Sequence, residues 1–377
     1  MDRLIKILPR INTALILSLI FNILISNNAF ADWTGYTKSF LSYFESSDNQ
    51  SQTSFLQIIR LENQFELSEN TKFDFAYEWD PAFTSNATSQ AKPYRVSDLK
   101  TLFHPHDQNT ANNKFVIFHN LDRLLLSHEM SWGDLLIGRQ PVSFGSARVV
   151  NPTDLFAPFS IQTLNQESRQ GVDALRLRVP VGELSEWDIG IVFGEHFDLN
   201  QSAAYLRYQF NYNLNDFALM TQIYQNHLLL GFDWQRSILD AGFWLESSYT
   251  SFFKFDDQVN SSSYLRVSSG MDYHLSSNLY GFFEYHYNGT GNEVYTEASQ
   301  QGGFYFPQRH VLVPGVQYQI TPLFYSSFSL LSLFGLETSL WGSIKFEYQW
   351  DEDLYVDLGG FFGSLPRLYY TSLRFYF

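Results

Sequence analysis

Period two is the pattern that most limits this chain. In segment after segment of roughly ten residues, apolar and polar side chains alternate, as in a strand with one face in an apolar medium and the other in water. Ala204, Leu206, Tyr208, Phe210 and Tyr212 are set against Tyr205, Arg207, Gln209, Asn211 and Asn213. Phe73, Phe75, Tyr77 and Trp79 oppose Lys72, Asp74, Glu78 and Asp80, and Leu340, Ile344, Phe346, Tyr348 and Trp350 oppose Ser343, Lys345, Glu347 and Gln349.

Eighteen such segments are legible, starting near residues 35, 53, 71, 114, 134, 171, 186, 202, 217, 227, 239, 263, 279, 309, 322, 338, 353 and 368. Every second connection is short: 68–70, 132–134, 182–185, 213–216, 237–240, 276–278, 320–322 and 351–353. The intervening ones include 81–113, 141–170, 251–262 and 290–308, which are long and polar or Gly-rich. Short turns on one side and long loops on the other define an antiparallel, up-and-down transmembrane β-barrel with periplasmic turns and extracellular loops. An even strand number puts both termini on the turn side; sixteen strands, one hairpin fewer, stays open.

The N-terminus agrees. Arg3, Lys6 and Arg10 precede an apolar stretch from Ala14 to Ile25, and Ala29-Phe30-Ala31 fits a small-x-small cleavage site. That is a secretory signal peptide, 1–31, leaving 32–377 as one barrel domain. Its apolar run of about a dozen residues is too short for a helical span, and no later window reaches the ~20 that one needs. Aromatic residues make up 18 % of the chain, and Trp79, Trp132, Trp187, Trp234 and Trp350 fall at or near strand ends, as an interfacial girdle requires. A secreted β-sandwich would also alternate, but it would not need such a girdle.

Composition removes several functions. Without residues 1–31 the chain holds 21 Lys and Arg against 38 Asp and Glu, a net charge of −17, so nucleic acid is not an expected partner. Cysteine is absent, which excludes disulfides, thiol nucleophiles and thiolate metal sites. His104, His106 and Asp107 share one loop, but without a further fixed ligand they read as solvated residues. Ser127-His128 and Tyr273-His274 lack a GxSxG context or an orienting partner, and no phosphate loop is present. No catalytic, metal or cofactor-binding residue is expected.

The faces assigned to the interior hold Arg60, Lys72, Arg176, Arg178, Arg207, Arg266, Lys345 and Arg374, with twelve acids that include Glu284 and Glu347. Arg176, Arg178, Arg207, Arg266, Glu284, Lys345 and Glu347 are the candidate lumen lining. Their mixed, slightly acidic character suits small neutral or cationic polar solutes. The stretch Gly138–Ser160, continued by QESRQGVDALRLRVP, breaks the alternation with Pro141, Pro152 and Pro158. So long a segment without regular structure is usually functional. Either it folds inward, with Arg139, Arg148, Asp154, Arg169 and Asp173 at a pore constriction, or it is a surface loop with local salt bridges; in both cases Phe144, Leu155, Phe156 and Phe159 need burial.

The leader, the LLIGRQPVSFG passage, the strand number and the C-terminal aromatic together resemble Gram-negative outer-membrane porins, including alginate-export-like eighteen-stranded barrels. The resemblance covers the mature chain in architecture and residues 135–180 in motif. It implies passive transport in the outer membrane of a Gram-negative bacterium, contact with outer-membrane lipid and, by analogy with general porins, room for a homo-oligomer. Alginate exporters have a strongly basic lumen, from which this mixed interior departs. A barrel closed by a plug, acting in adhesion, recognition or envelope assembly, is the alternative. In SLRFYF the residues Phe377, Phe375 and Leu373 share a face with Thr371 and Tyr369. Within the resemblance, they are the signal read by the barrel-assembly machinery.

Overall fold

The structure, a computed structural model, describes residues 33–45, 51–85, 115–156, 167–194, 202–224, 227–252, 263–289, 308–335, 338–363 and 367–377. The leader at 1–31, the His104, His106 and Asp107 group and Phe159 lie outside these residues. The described elements are all strands: β1 (Thr34–Glu45), β2 (Ser51–Ser68), β3 (Thr71–Thr84), β4 (Phe115–Met130), β5 (Gly133–Gln140), β6 (Val172–Pro180), β7 (Ser185–Val192), β8 (Ala203–Tyr212), β9 (Asn215–Tyr224), β10 (His227–Ile238), β11 (Ala241–Phe252), β12 (Tyr264–Ser276), β13 (Leu279–Asn288), β14 (His310–Thr321), β15 (Phe324–Phe334), β16 (Ser339–Asp351), β17 (Leu354–Gly363) and β18 (Arg367–Tyr376).

Each strand pairs antiparallel with its neighbours in sequence, and β1 pairs with β18 from Tyr36 opposite Tyr376 to Glu45 opposite Arg367. The eighteen strands therefore form a closed ring with no free edge. Two-residue turns join β8 to β9 and β10 to β11, with Asn213, Leu214 and Leu239 at positive φ, the conformation that tight hairpins require. The long connections all fall at the other end. In all eighteen cases the strand begins within two residues of the sequence expectation.

The alternation acts as expected. On β7, Trp187, Ile189 and Ile191 are exposed on the outer face, while Asp188 and Val192 are buried inside. On β18, Tyr369 is exposed, Phe375 stacks on Phe377, and Ser372 and Arg374 reach inward to Asp357. The C-terminus is not frayed: Gly35 N donates to Phe377 O at 2.9 Å and Phe377 N to Gly35 O at 3.2 Å. Trp132, Trp187, Trp234 and Trp350 all stand at the turn end, so the tryptophan girdle marks one rim; Trp79 lies farther along β3.

Removing Phe377 deletes both of these seam hydrogen bonds, in surroundings where an unsatisfied backbone group costs several kcal/mol. Recovery of folded barrel from membranes should drop by about an order of magnitude, read as the fraction resistant to unfolding in detergent; unchanged recovery would contradict this.

Candidate functional site

The site is the connection between β5 and β6, which turns into the barrel. It starts with a buried pair at its base. Arg139, near the end of β5, donates from Nε and Nη2 to the two oxygens of Asp173 at 2.9 and 2.6 Å, across the β5–β6 register. The fork geometry fixes the spacing of the two strand ends from which the loop leaves and returns.

Beyond it the chain lies on the inward face of β8–β13. Val142, Phe144, Leu155 and Phe156 bury against Ala203, Tyr205, Met220, Tyr224 and Leu229, with Phe144 edge-on to the Tyr205 ring. Here inward positions near the loop end are apolar, so the apolar loop residues find a core inside the barrel and not on its rim.

The loop backbone between 146 and 153 then meets three carboxylates from the barrel wall. Ser146 Oγ donates to Asp233. Glu246 accepts from Ala147 N at 3.0 Å, Thr153 N at 2.8 Å, Thr153 Oγ1 at 2.6 Å and Asn151 Nδ2 at 3.2 Å. Glu284 accepts from the backbone N of Arg148 at 2.6 Å and of Val150 at 2.9 Å, and from Trp244 Nε1 at 3.1 Å. Gln222 Nε2 donates to Thr153 O at 2.7 Å, and Ser268 Oγ to Val150 O at 2.6 Å. Glu246 and Glu284 are respectively 0 and 1 % exposed, so these donors take the place of water around their carboxyl oxygens. Gly145 is required at the approach: its φ is +94°, and a Cβ there would lie 2.4 Å from the Glu246 carboxylate.

The return limb, 167–171, docks on the opposite side of the ring. Glu167 accepts from Lys38 Nζ and Tyr376 Oη, and Arg374 Nη1 stands 3.5 Å from it. Arg169 O accepts from Arg123 Nη2 at 2.9 Å and Gly171 N donates to Asp122 at 2.9 Å. β1, which carries Lys38, and β10, which carries Asp233, are nine strands apart in the ring, so the two described limbs rest on opposing walls. They are tied by Arg169 Nη1 donating to Asp154 Oδ2.

The five residues expected at a constriction therefore separate by role. Arg139 and Asp173 form the base pair and Arg169 and Asp154 join the limbs. Arg148 is the one whose side chain is largely exposed, at 57 %, 2.9 Å from Asp272 and over the Trp244 ring. Of the lining set, Arg176 pairs with Asp188 and Arg178 with Asp134. Arg207 donates to Gln209 and lies over the Phe144 ring. Lys345 pairs with Glu347, which also receives Arg374. Arg266 is buried over the Tyr264 ring, and Glu284 holds loop amides and so does not line open lumen. Sequence reasoning did not find Lys38, Gln222 or Asp122, nor the clamping role of Glu246; only the inward phase of each residue could have pointed to them.

No protein-family model matches the chain, and no curated protein matches it. Among solved structures it is similar in fold to Acinetobacter baumannii OccAB4 (TM-score 0.61, 9 % identity, 92 % of this chain and 97 % of that one covered). It is likewise similar to Pseudomonas aeruginosa OccK9 (OpdG) (TM-score 0.62, 9 %, 92 % and 98 %) and to the outer membrane protein OpdK from Pseudomonas aeruginosa (TM-score 0.58, 8 %, 92 % and 99 %). These neighbours are outer-membrane porins. The fold of this chain is thus that of the eighteen-stranded outer-membrane barrels.

Two outcomes follow. Glu246→Ala strands buried loop donors, each worth ~1–3 kcal/mol, so the barrel should lose about 3 kcal/mol or more in guanidinium unfolding; Glu246→Gln should lose less. For Glu167, desolvation raises the carboxyl pKa, but hydrogen bonds from Lys38 and Tyr376 and the charges of Lys38 and Arg374 outweigh it and hold the group below its ordinary value. A depressed pKa means that the docking of the return limb is stabilised above the ordinary glutamate value of ~4.3 and weakens as pH falls below it. Protease cleavage within 167–171 should therefore rise on acidification through that window in the wild type and be pH-independent in Glu167→Gln.

Proposed function

We propose that the chain is an outer-membrane channel of a Gram-negative bacterium, exported by a cleaved leader at 1–31, through which small polar solutes diffuse passively. The observation that carries the reading is the inward loop. An eighteen-stranded ring is wide enough for an aqueous lumen, and the described limbs of the loop, held by Glu246 and Glu284 on one wall and by Lys38 and Arg123 on the other, lie inside it. The fold likeness supports the reading, and one of the similar structures is OpdK with vanillate, a small polar solute. Catalysis has no part in this account.

The wall charges are mostly neutralised in pairs such as Arg176 with Asp188 and Arg374 with Asp357. Paired charges present a polar surface without a strong field of one sign, which suits neutral or weakly cationic solutes. Arg148 is the loop cation with the largest exposed side chain among the described ion pairs, and its charge is the main local term opposing cations.

Purified barrel in planar bilayers should show stepwise conductance; silence across salts and voltages would instead favour a plugged barrel acting in recognition or assembly. Deleting 146–153 should raise the single-channel conductance severalfold, because the segment lies against the inner face of the wall, on side chains from the middle of β10, β11 and β13. Arg148→Glu should move the reversal potential in a salt gradient toward cation selectivity, and an unchanged potential would remove Arg148 from the pathway.

A further inference from the structure

On the wall opposite the carboxylate clamp, β3 and β4 bring together a second acidic group that the loop does not use. Glu78 and Asp80 are two apart on β3 and so share its inward face. Asn120 on β4 stands directly across from Glu78 in the register. The two carboxyl groups lie within hydrogen-bond reach of each other. Asp80 is 6 % exposed, and its Oδ1 is buried without a hydrogen-bond partner. Asn120 Oδ1, on the neighbouring strand, is likewise buried and unpartnered.

Nearby cations do not resolve this. Arg60 donates to Asp122 at 2.7 Å and to Glu62 at 2.9 Å, and only then stands 3.9 Å from Glu78. Lys38 is bonded to Glu167. Glu78 Oε2 accepts one hydrogen bond, from Tyr36 Oη at 3.3 Å. Two carboxyl groups this close, with a buried unpartnered oxygen on Asp80 and another on Asn120 of the adjacent strand, are stabilised by a cation between them or by a proton shared between the acids.

We propose that Glu78, Asp80 and Asn120 form a binding site for a hard divalent cation of the calcium type. Two carboxylates and one amide oxygen are the ligand chemistry that calcium takes, with water completing its six to eight positions. The absence of sulfur or imidazole in the set disfavours zinc. A site with so few protein ligands falls in the weak range of extracellular calcium modules, a Kd of roughly 0.1–1 mM. Its position gives it a consequence: Tyr36 Oη, the donor to Glu78, also contacts Ser168 Oγ at 3.2 Å in the return limb. Occupancy at Glu78 is thereby coupled to the docking of the inward loop through one hydroxyl.

Terbium(III), a luminescent stand-in for calcium, provides the test when titrated into the refolded mature barrel in detergent with excitation of tyrosine. The expected result is a saturable signal that calcium displaces at about millimolar concentration, weakened at least tenfold in Asp80→Asn with an unchanged circular dichroism spectrum. Asn120→Asp, which supplies a third carboxylate, should bind about tenfold more tightly. A signal that is not saturable, or that is equal in wild type and Asp80→Asn, overturns the site and leaves the shared proton as the explanation. Should Asp80→Asn not fold, Asn120→Asp decides: tighter binding supports the site, and unchanged or weaker binding overturns it. Conductance plays no part in this readout, so it stands or falls apart from the channel reading.

Discussion

Everything in this molecule depends on backbone hydrogen bonds that have no water to fall back on. In hydrocarbon an open sheet edge would leave a row of N–H and C=O groups unsatisfied, at several kcal/mol each. The pairing of β1 with β18 removes the edge and so makes the other sixteen strands viable. It also settles where the chain must end. Phe377 is held by Gly35 in both directions, and its ring lies beside Phe375 on the lipid side. An aromatic terminus that would be a liability in a soluble domain is here the last rung of the seam.

Closure creates an interior, and the interior then poses the same problem for side chains. Inward carboxylates at mid-depth lose water as soon as anything covers them. Glu246 and Glu284 solve this by accepting from the backbone of the loop that covers them. The interaction is reciprocal: loop amides with no strand to pair with are satisfied by the wall, and buried wall acids are satisfied by the loop. On the far side the pairing is ionic, through Lys38, Arg374 and Glu167. One wall thus holds the loop mainly through its backbone amides, and the other mainly through charged side chains.

The fold was legible because period two, turn length and loop length all carry information within ten residues of sequence. The clamp was not legible to the same degree. Glu246 and Glu284 could be placed on inward faces from phase alone, but which of a dozen inward acids would meet residues 146–153, about a hundred residues earlier in the chain, is decided by barrel shear and loop path. Arg139 and Asp173 show the same limit. As residues flanking a long loop they read as pore charges, whereas the β5–β6 register makes them direct partners and buries them. Lys38 sits among Ser, Thr and aromatic neighbours in β1, and nothing local announces that its partner is Glu167.

The central claim is that the β5–β6 loop is part of the barrel interior, held by its own backbone. Hydrogen exchange of the amides of Ala147, Arg148, Val150 and Thr153 in the wild-type barrel tests it most directly. Protection comparable to that of amides in β11 and β13 is the predicted result. Exchange at the rate of a solvated loop would contradict it.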